Sequence, residues 1–399
     1  MGWDFETEPE YQEKLDWVDR FLREDVEPLD YVLGDAYDKS DQRALAVVRP
    51  LQQKVREQRL WAAHLKPEMG GQGYGQVKLA LLNELLGRSR WAPSVFGCQA
   101  PDSGNAEILA HFGTAEQKAK YLQPLLDGTI SSCYSMTEPH AGADPTLFRT
   151  RAVRDGDEWV LNGEKWFSSN ARYASLLVVM AVTNPDVSAY EGMSMFLVPA
   201  DTPGITLHPL RTWQSAAAHQ FTVFYDGVRI PRGNVLGEVG GGFALGQQWL
   251  AVNDRLTRGA MATGFLSRGL DMAVDWVRTR RTFGRPLAER QAIQWMLVDI
   301  LLDLKSIRAI SYECAARADA GDDVRAHAAM AKLAGANWGH RSMDKLMQIF
   351  GGMGEAMDHP IPHWYHIIRH GRIGGGTDEI QRILISRAIL EGDPSLWRA

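Results

Sequence analysis

The chain has 399 residues, more than one hydrophobic core ordinarily serves, so two or three domains are expected. With 45% hydrophobic and 23% charged residues it is too apolar for a disordered chain. A net charge of -6 argues against a general nucleic-acid binder, while leaving space for a local basic pocket that takes a phosphorylated ligand. Cys98, Cys133 and Cys314 are too few and too scattered for a disulfide framework or a zinc site, which fits a reducing compartment. The opening MGWDFETEPEYQEKLDWVD lacks the features of a signal or transit peptide. No apolar run approaches the roughly 20 residues that span a bilayer. The expectation is a soluble, cytoplasmic protein without a nucleic-acid or membrane partner.

In chain order, the first zone runs from Trp3 to about Leu126 and reads as helices with short breaks. Leu15, Trp17, Val18, Phe21, Leu22 and Val26 recur near helical spacing among charges. The glycine-rich stretch 69–75 must be a loop, and helical patterning resumes from Lys78 to Leu86. From Ile130 to about Gly237 the period becomes two. Residues 151–162 predict a hairpin turning at Gly156–Asp157. Strands follow over 176–182, 194–198, 205–210 and 221–225, with the turn signal DTPG at 201–204. A small barrel or sandwich is implied. From Phe243 helices return. Ile293, Met296, Leu297, Ile300, Leu304 and Ile307 form one stripe, with Asp299, Asp303 and Arg308 off it. A second long helix covers 326–350 and stops at Gly351–Gly352, and a last one covers 378–390. The expected class is α+β, with an N-terminal helical domain (1–129), a middle β-domain (130–238) and a C-terminal four-helix bundle (239–399).

Several chemistries are disfavoured by missing motifs. The chain has no G-x-G-x-x-G between strand and helix, no G-x-x-x-x-G-K-[ST], no H-E-x-x-H and no G-x-S-x-G. His359, His363, His366 and His370 have partly helical ligand spacing. No carboxylate interleaves them and apolar residues surround them, so no metal is expected there.

Two blocks carry more information. Residues 134–144, YSMTEPHAGAD, read as a strand ending in a turn of small residues whose N–H groups could cradle a pyrophosphate or polarise a ring edge. Residues 162–170, NGEKWFSSN, read as a strand ending in two hydroxyls beside two aromatics, suited to a flat heterocycle. Taken alone, both are also ordinary strand ends.

Together with RTFGRPLAERQAIQ, QIFGGMG and RIGGGTDEIQRILISRAIL, these blocks make the chain resemble the acyl-CoA dehydrogenase family over almost its whole length. The resemblance implies FAD held between the β-domain and the bundle, with a homotetramer as the usual assembly and a homodimer as the alternative. By position, Tyr134, Met136 and Thr137 would line the flavin, and Gly142 and Ala143 would meet the pyrophosphate, where the family usually has Ser in place of Ala143. Phe167, Ser168 and Ser169 would cover the ring. Here the family commonly has Trp-Ile-Thr, which bears on docking of the electron acceptor. Arg280, Thr282, Phe283 and Gln291, with Gln348, Gly351 and Gly352, would hold the ADP portion, partly from a neighbouring subunit. Thr377 and Glu379 would complete the cofactor site.

The implied reaction is α,β-desaturation of an acyl-CoA, a step of fatty-acid β-oxidation, with electrons passing to an electron-transferring flavoprotein. It needs a carboxylate base and hydrogen bonds to the thioester carbonyl. By position, the backbone N–H of Gly375 would supply one of these bonds. Most members carry the base as a Glu directly before Gly-Thr near the C-terminus, but here that position is Gly375. A minority branch, the isovaleryl and long-chain type, places it before an Arg on an upstream helix. The matching pair is Asp254–Arg255, which makes Asp254 the expected base. Glu138 of the TEP stretch is expected to be structural. The glycines at 374–376 are expected to leave space beside the flavin for an α-branched or bulky acyl chain, and likeness to family members ten and eleven implies a 2-methyl-branched or longer one. The alternatives are a flavin oxidase or monooxygenase of the same fold, and a catalytically silent subunit.

Overall fold

The computed structural model describes residues 6–213, 219–249 and 254–398, with the side chains of Gln248 and Trp249 outside that description. Trp3, where the first helical zone was expected to open, lies outside the described residues. The chain divides into two compact units, one from segments 1–34, 74–95 and 250–399 and the other from 35–73 and 96–249.

The second unit is built on eight strands: β1 (Ser132–Ser135), β2 (Arg151–Asp155), β3 (Glu158–Lys165), β4 (Leu176–Val182), β5 (Met193–Pro199), β6 (Ile205–Leu210), β7 (Gln220–Pro231) and β8 (Val235–Leu236). They form one sheet in the order β6-β7-β3-β2-β4-β5-β8, with β1 added parallel to β4. The unbroken apolar run of β4 follows from burial of both its faces. Leu176, Val178 and Met180 enter one apolar cluster with Leu109, Leu122 and Met195, whereas Leu177, Val179 and Ala181 enter a second with Phe196, Val198 and Val223. Because side chains alternate along a strand, a single seven-residue segment serves two cores. Helix Asp102–Phe112 packs into the first cluster through Ala106, Ile108 and Leu109.

The first unit is helical. Its long members are Pro9–Phe21, Gln76–Leu86, Arg255–Thr279, Gln291–Asp319, Arg325–Phe350, Pro360–Gly371 and Asp378–Leu390. Close approach of helices 76–86 and 255–279 depends on small residues. A Cβ on Gly264 would lie 2.0 Å from the Glu84 carbonyl oxygen, and one on Gly87 would lie 2.3 Å from that of Met261. Helix 76–86 therefore packs with the C-terminal helices, Ala80 joining Leu256, Ala260 and Ala331 in one core. Asp303 departs from the expected polar face of helix 291–319. It is 5% exposed, bonded to Arg341 and, at 2.7 Å, to the Ser342 hydroxyl, because a paired carboxylate can enter a core that excludes a lone one. Among the described residues no helix is long and apolar enough to cross a membrane.

Candidate active site

In the sheet unit, the two motif blocks lie side by side. The Trp166 N–H donates to the Thr137 carbonyl at 2.7 Å, and the Lys165 ammonium donates to the Met136 carbonyl at 2.8 Å. The same ammonium meets Glu138 at 2.9 Å, and the second carboxylate oxygen of Glu138 accepts from the Arg149 N–H at 2.7 Å. Burial opposes both charges. It pushes Lys165 down to about 8, while Lys165 and two backbone N–H groups hold Glu138 below the ordinary carboxyl range despite it. Glu138 is thus a tie between the two segments.

Past this tie the chain turns into an aromatic platform. Phe167 stacks on Trp166 with ring centroids 5.1 Å apart and planes 9° from parallel. Phe167 is 49% exposed and has φ +53°, a left-handed conformation that costs a bulky residue about 1–3 kcal/mol and is commonly retained at functional sites. Among the described residues, the buried Trp166 indole nitrogen has no hydrogen-bond partner. Ser169 donates to Gln220 at 3.0 Å. Tyr134 is positioned by Gly246, where a Cβ would lie 2.6 Å from the phenol oxygen. Gly142 and Ala143 are exposed in the turn beyond Glu138. A flat apolar face, an orphan N–H donor and nearby hydroxyls fit an isoalloxazine ring.

Ser168 departs from expectation. Its hydroxyl is fully buried and lies 3.0 Å from that of Ser135, which also accepts from Tyr225 at 2.9 Å. The Ser168 N–H donates to the Phe221 carbonyl. Both polar groups are spent inside the sheet, where the Ser168 N–H meets β7 after the left-handed turn at Phe167.

In the helical unit, Arg280 lies over the Trp276 ring at 5.7 Å, and Trp276 packs on Phe350 with centroids 5.7 Å apart. This chain of rings brings the Arg280–Gln291 segment to the corner formed by Gln348, Gly351 and Gly352. Two short strands, Arg281–Thr282 and Arg285–Pro286, carry Phe283 at their turn, 98% exposed. Gln291, Gln348, Gly351 and Gly352 are exposed too.

The third group surrounds Gly375. Asp254 opens helix 255–279, is 9% exposed, and pairs with Arg258 at 2.8 Å, one helical turn on, rather than with its neighbour Arg255. Burial lowers the Arg255 pKa and Asp254 opposes that shift. Gly375 has φ +67°, and a Cβ there would lie 2.5 Å from Asp254 Oδ2. The neighbouring glycines leave no cleft. Cβ atoms on Gly374 and Gly376 would meet His370 Nε2 at 2.5 Å and Gln381 Nε2 at 2.8 Å, so the expectation that glycines 374–376 leave space for a bulky acyl chain is corrected. The Thr377 hydroxyl caps helix 378–390 by accepting from the Ile380 N–H at 3.4 Å, and Glu379 is exposed in its first turn. Sequence reasoning missed Arg258, Gln381 and Lys332. The i, i+4 spacing of Asp254 and Arg258 was a usable signal, whereas Lys332 had only its position as an isolated cation in AAMAKLAGA.

The histidines do not converge. His363 Nε2 lies 2.7 Å from Arg90 Nη1, and among the described residues no three His, Cys, Asp or Glu groups form a metal-holding cluster.

The aromatic platform at the end of β3 fits a flavin-dependent oxidoreductase. Family models match in the same order: Acyl-CoA dehydrogenase, N-terminal domain over 8–129, middle domain over 133–226 and C-terminal domain over 240–390. Probable acyl-CoA dehydrogenase FadE2 of Mycobacterium tuberculosis is 37% identical over 90% of this chain and 89% of its own. Acyl-CoA dehydrogenase family member 11 of Gallus gallus is 32% identical over 94% of this chain, which spans 50% of that protein. The solved butyryl-CoA dehydrogenase of Megasphaera elsdenii superposes with a TM-score of 0.82 at 26% identity, covering 97% of this chain and 100% of that one. The chain belongs to the acyl-CoA dehydrogenase family. It is an oxidoreductase whose cofactor is FAD.

Proposed function

We propose that the protein desaturates an acyl-CoA thioester between Cα and Cβ, with Asp254 as the base that removes the α-proton. The observation that carries this reading is the place of the Asp254 carboxylate. It is buried and lies where a side chain on residue 375 would begin. A carboxylate kept from bulk water suits proton abstraction from a weakly acidic carbon.

In this reading Tyr134, Met136, Thr137, Phe167 and Ser169 hold the flavin ring, with Ser168 contributing through its backbone position alone. Gly142 and Ala143 take the pyrophosphate. Arg280, Thr282, Phe283, Gln291, Gln348, Gly351 and Gly352 take the ADP portion, and Thr377 and Glu379 close the site. Bound FAD supplies the two-electron acceptor for the β-hydrogen. Arg258 fixes the Asp254 carboxylate through their 2.8 Å pair, and Arg255 adds positive potential to the same helix end. The Gly375 N–H is the candidate donor to the thioester oxygen, where charge develops as the α-proton leaves.

Electrons pass from the enzyme to an electron-transferring flavoprotein, and the acyl chain is 2-methyl-branched or longer. A homotetramer is the proposed assembly. Trp295, Val298 and Leu302, 62%, 54% and 61% exposed, share one face of helix 291–319 and call for cover. A cytoplasmic location is part of the reading, supported by the free thiols of Cys98, Cys133 and Cys314.

The test is an anaerobic flavin-bleaching screen against straight, branched and cyclic acyl-CoAs, followed by admission of air. Rapid bleaching with slow reoxidation is expected. Rapid oxygen consumption would favour an oxidase, and flavin that no acyl-CoA reduces would favour a silent subunit.

A further inference from the structure

The helical unit holds a second charged group that the reaction as described does not use. Lys332 sits in the first third of helix 325–350 and is fully buried. Its ammonium donates to the carbonyl of Gly376. The Gln381 amide donates to the same carbonyl at 2.9 Å and to that of Gly375 at 3.4 Å. The turn carrying Gly375 is therefore held by two donors, from helix 325–350 and helix 378–390. Both residues of the turn are left-handed, Gly375 at φ +67° and Gly376 at φ +84°, and it is the bare Cα of Gly375 that leaves the Asp254 carboxylate its place.

The charges facing Lys332 come from both sides. Asp254, Arg255 and Arg258 act from helix 255–279, and Asp378 from helix 378–390. Asp378 is itself tied to Arg372 and to Asn337, each at 2.9 Å. Burial, together with repulsion by Arg258 and Arg255, outweighs attraction to the two carboxylates and pushes the Lys332 ammonium down to about 8. A cation maintained at such cost needs a reason, and simple core packing supplies none, because a Met of similar length fills the same volume without the desolvation penalty.

We propose that Lys332 is a positioning residue for proton abstraction: its ammonium pins the Gly375–Gly376 turn and keeps the Asp254 carboxylate aimed. This rests on the reading of Asp254 as the base. The bond is charge-assisted and made to a backbone carbonyl, so its loss leaves the substrate contacts intact and loosens the geometry on which the proton transfer depends.

Three enzymes decide it: wild type, Lys332→Met and Lys332→Arg, each as the FAD-loaded full chain. Lys332→Met is expected to lower kcat about tenfold or more, the equivalent of one charge-assisted hydrogen bond, with KM for acyl-CoA and FAD content changed less than about threefold. Lys332→Arg is expected to recover most of kcat. In wild type, kcat should fall above about pH 8 as Lys332 loses its proton. In Lys332→Arg that alkaline limb should vanish, because a guanidinium stays charged. Lys165 titrates in the same range, so the difference between wild type and Lys332→Arg makes the assignment. Melting temperature against pH, read in all three proteins, gives a signal independent of turnover. A Lys332→Met enzyme with wild-type kcat, or a Lys332→Arg enzyme that keeps the limb near pH 8, would overturn the proposal. If wild type itself fails to bleach with any acyl-CoA, it is the Asp254 reading that falls.

Discussion

Asp254 and Gly375 share one place in the helical unit: Asp254 Oδ2 lies 2.5 Å from the point where a side chain on Gly375 would begin. The two positions are therefore alternatives, and a carboxylate entering from helix 255–279 requires that residue 375 have none of its own. The positive φ of Gly375, +67°, adds a second reason for glycine there.

Gly375→Ala should accordingly harm both folding and chemistry. The left-handed backbone and the contact with Asp254 predict a loss of about 1–2 kcal/mol in stability. They also predict a drop in flavin reduction of about tenfold or more as the carboxylate is displaced. In the double variant Asp254→Gly/Gly375→Glu, the carboxylate returns from the other position. Its rate should exceed that of Asp254→Gly alone, measured by anaerobic stopped-flow.

Lys332 sets a pH dependence of stability whose sign can be worked out. The unfolded chain keeps the lysine proton up to about pH 10.4, whereas the folded protein releases it near 8. Between these values the unfolded state holds more protons, so stability rises with pH across that window. The rise attributable to Lys332 is about 3 kcal/mol and should be missing from Lys332→Met. Denaturant melts of the two proteins at pH 7 and pH 10 measure the difference.

Removing Lys165 should be costly in another way. Lys165→Met strands Glu138, 2% exposed, without its cation and is expected to destabilise by about 3–5 kcal/mol. Lys165→Met/Glu138→Gln should recover part of that loss. Thermal melting of the three variants against wild type reads the coupling directly.

Ser168→Ala tests where that hydroxyl points. With Ser135 and Tyr225 as its neighbours in the sheet interior, its removal should cost about 1 kcal/mol of stability. Flavin reduction should stay within about twofold of wild type, whereas a hydroxyl in contact with the ring would show a clear change in rate or in the flavin spectrum.

Much of the fold can be read from the residues because it obeys simple periods. The run 176–182 and the helices over 326–350 and 378–390 announce themselves through apolar spacing and glycine stops, and the strand and helices lie there. What escapes the pattern is long-range. Nothing near Gln76–Leu86 shows that Ala80 packs with Leu256, because that depends on Gly87 and Gly264 letting two helices touch. At the site, the motifs mark which segments matter but not which way a side chain faces, so Ser168 turns inward unannounced. The burial of Asp303 is invisible for the same reason: its partner Arg341 is 38 residues away. The mutual exclusion of Asp254 and a side chain at 375 becomes visible only when a helix start and a turn 121 positions apart in sequence are placed together.

The role of Asp254 is tested most directly by exchange of the substrate α-proton. An acyl-CoA analogue with no transferable hydrogen at the β-position, incubated with the FAD-loaded enzyme in deuterated water, isolates proton abstraction from oxidation. Wild type should exchange the α-proton readily, and Asp254→Asn, with FAD retained, should do so about 100-fold more slowly or worse. Exchange by Asp254→Asn at the wild-type rate would contradict the assignment.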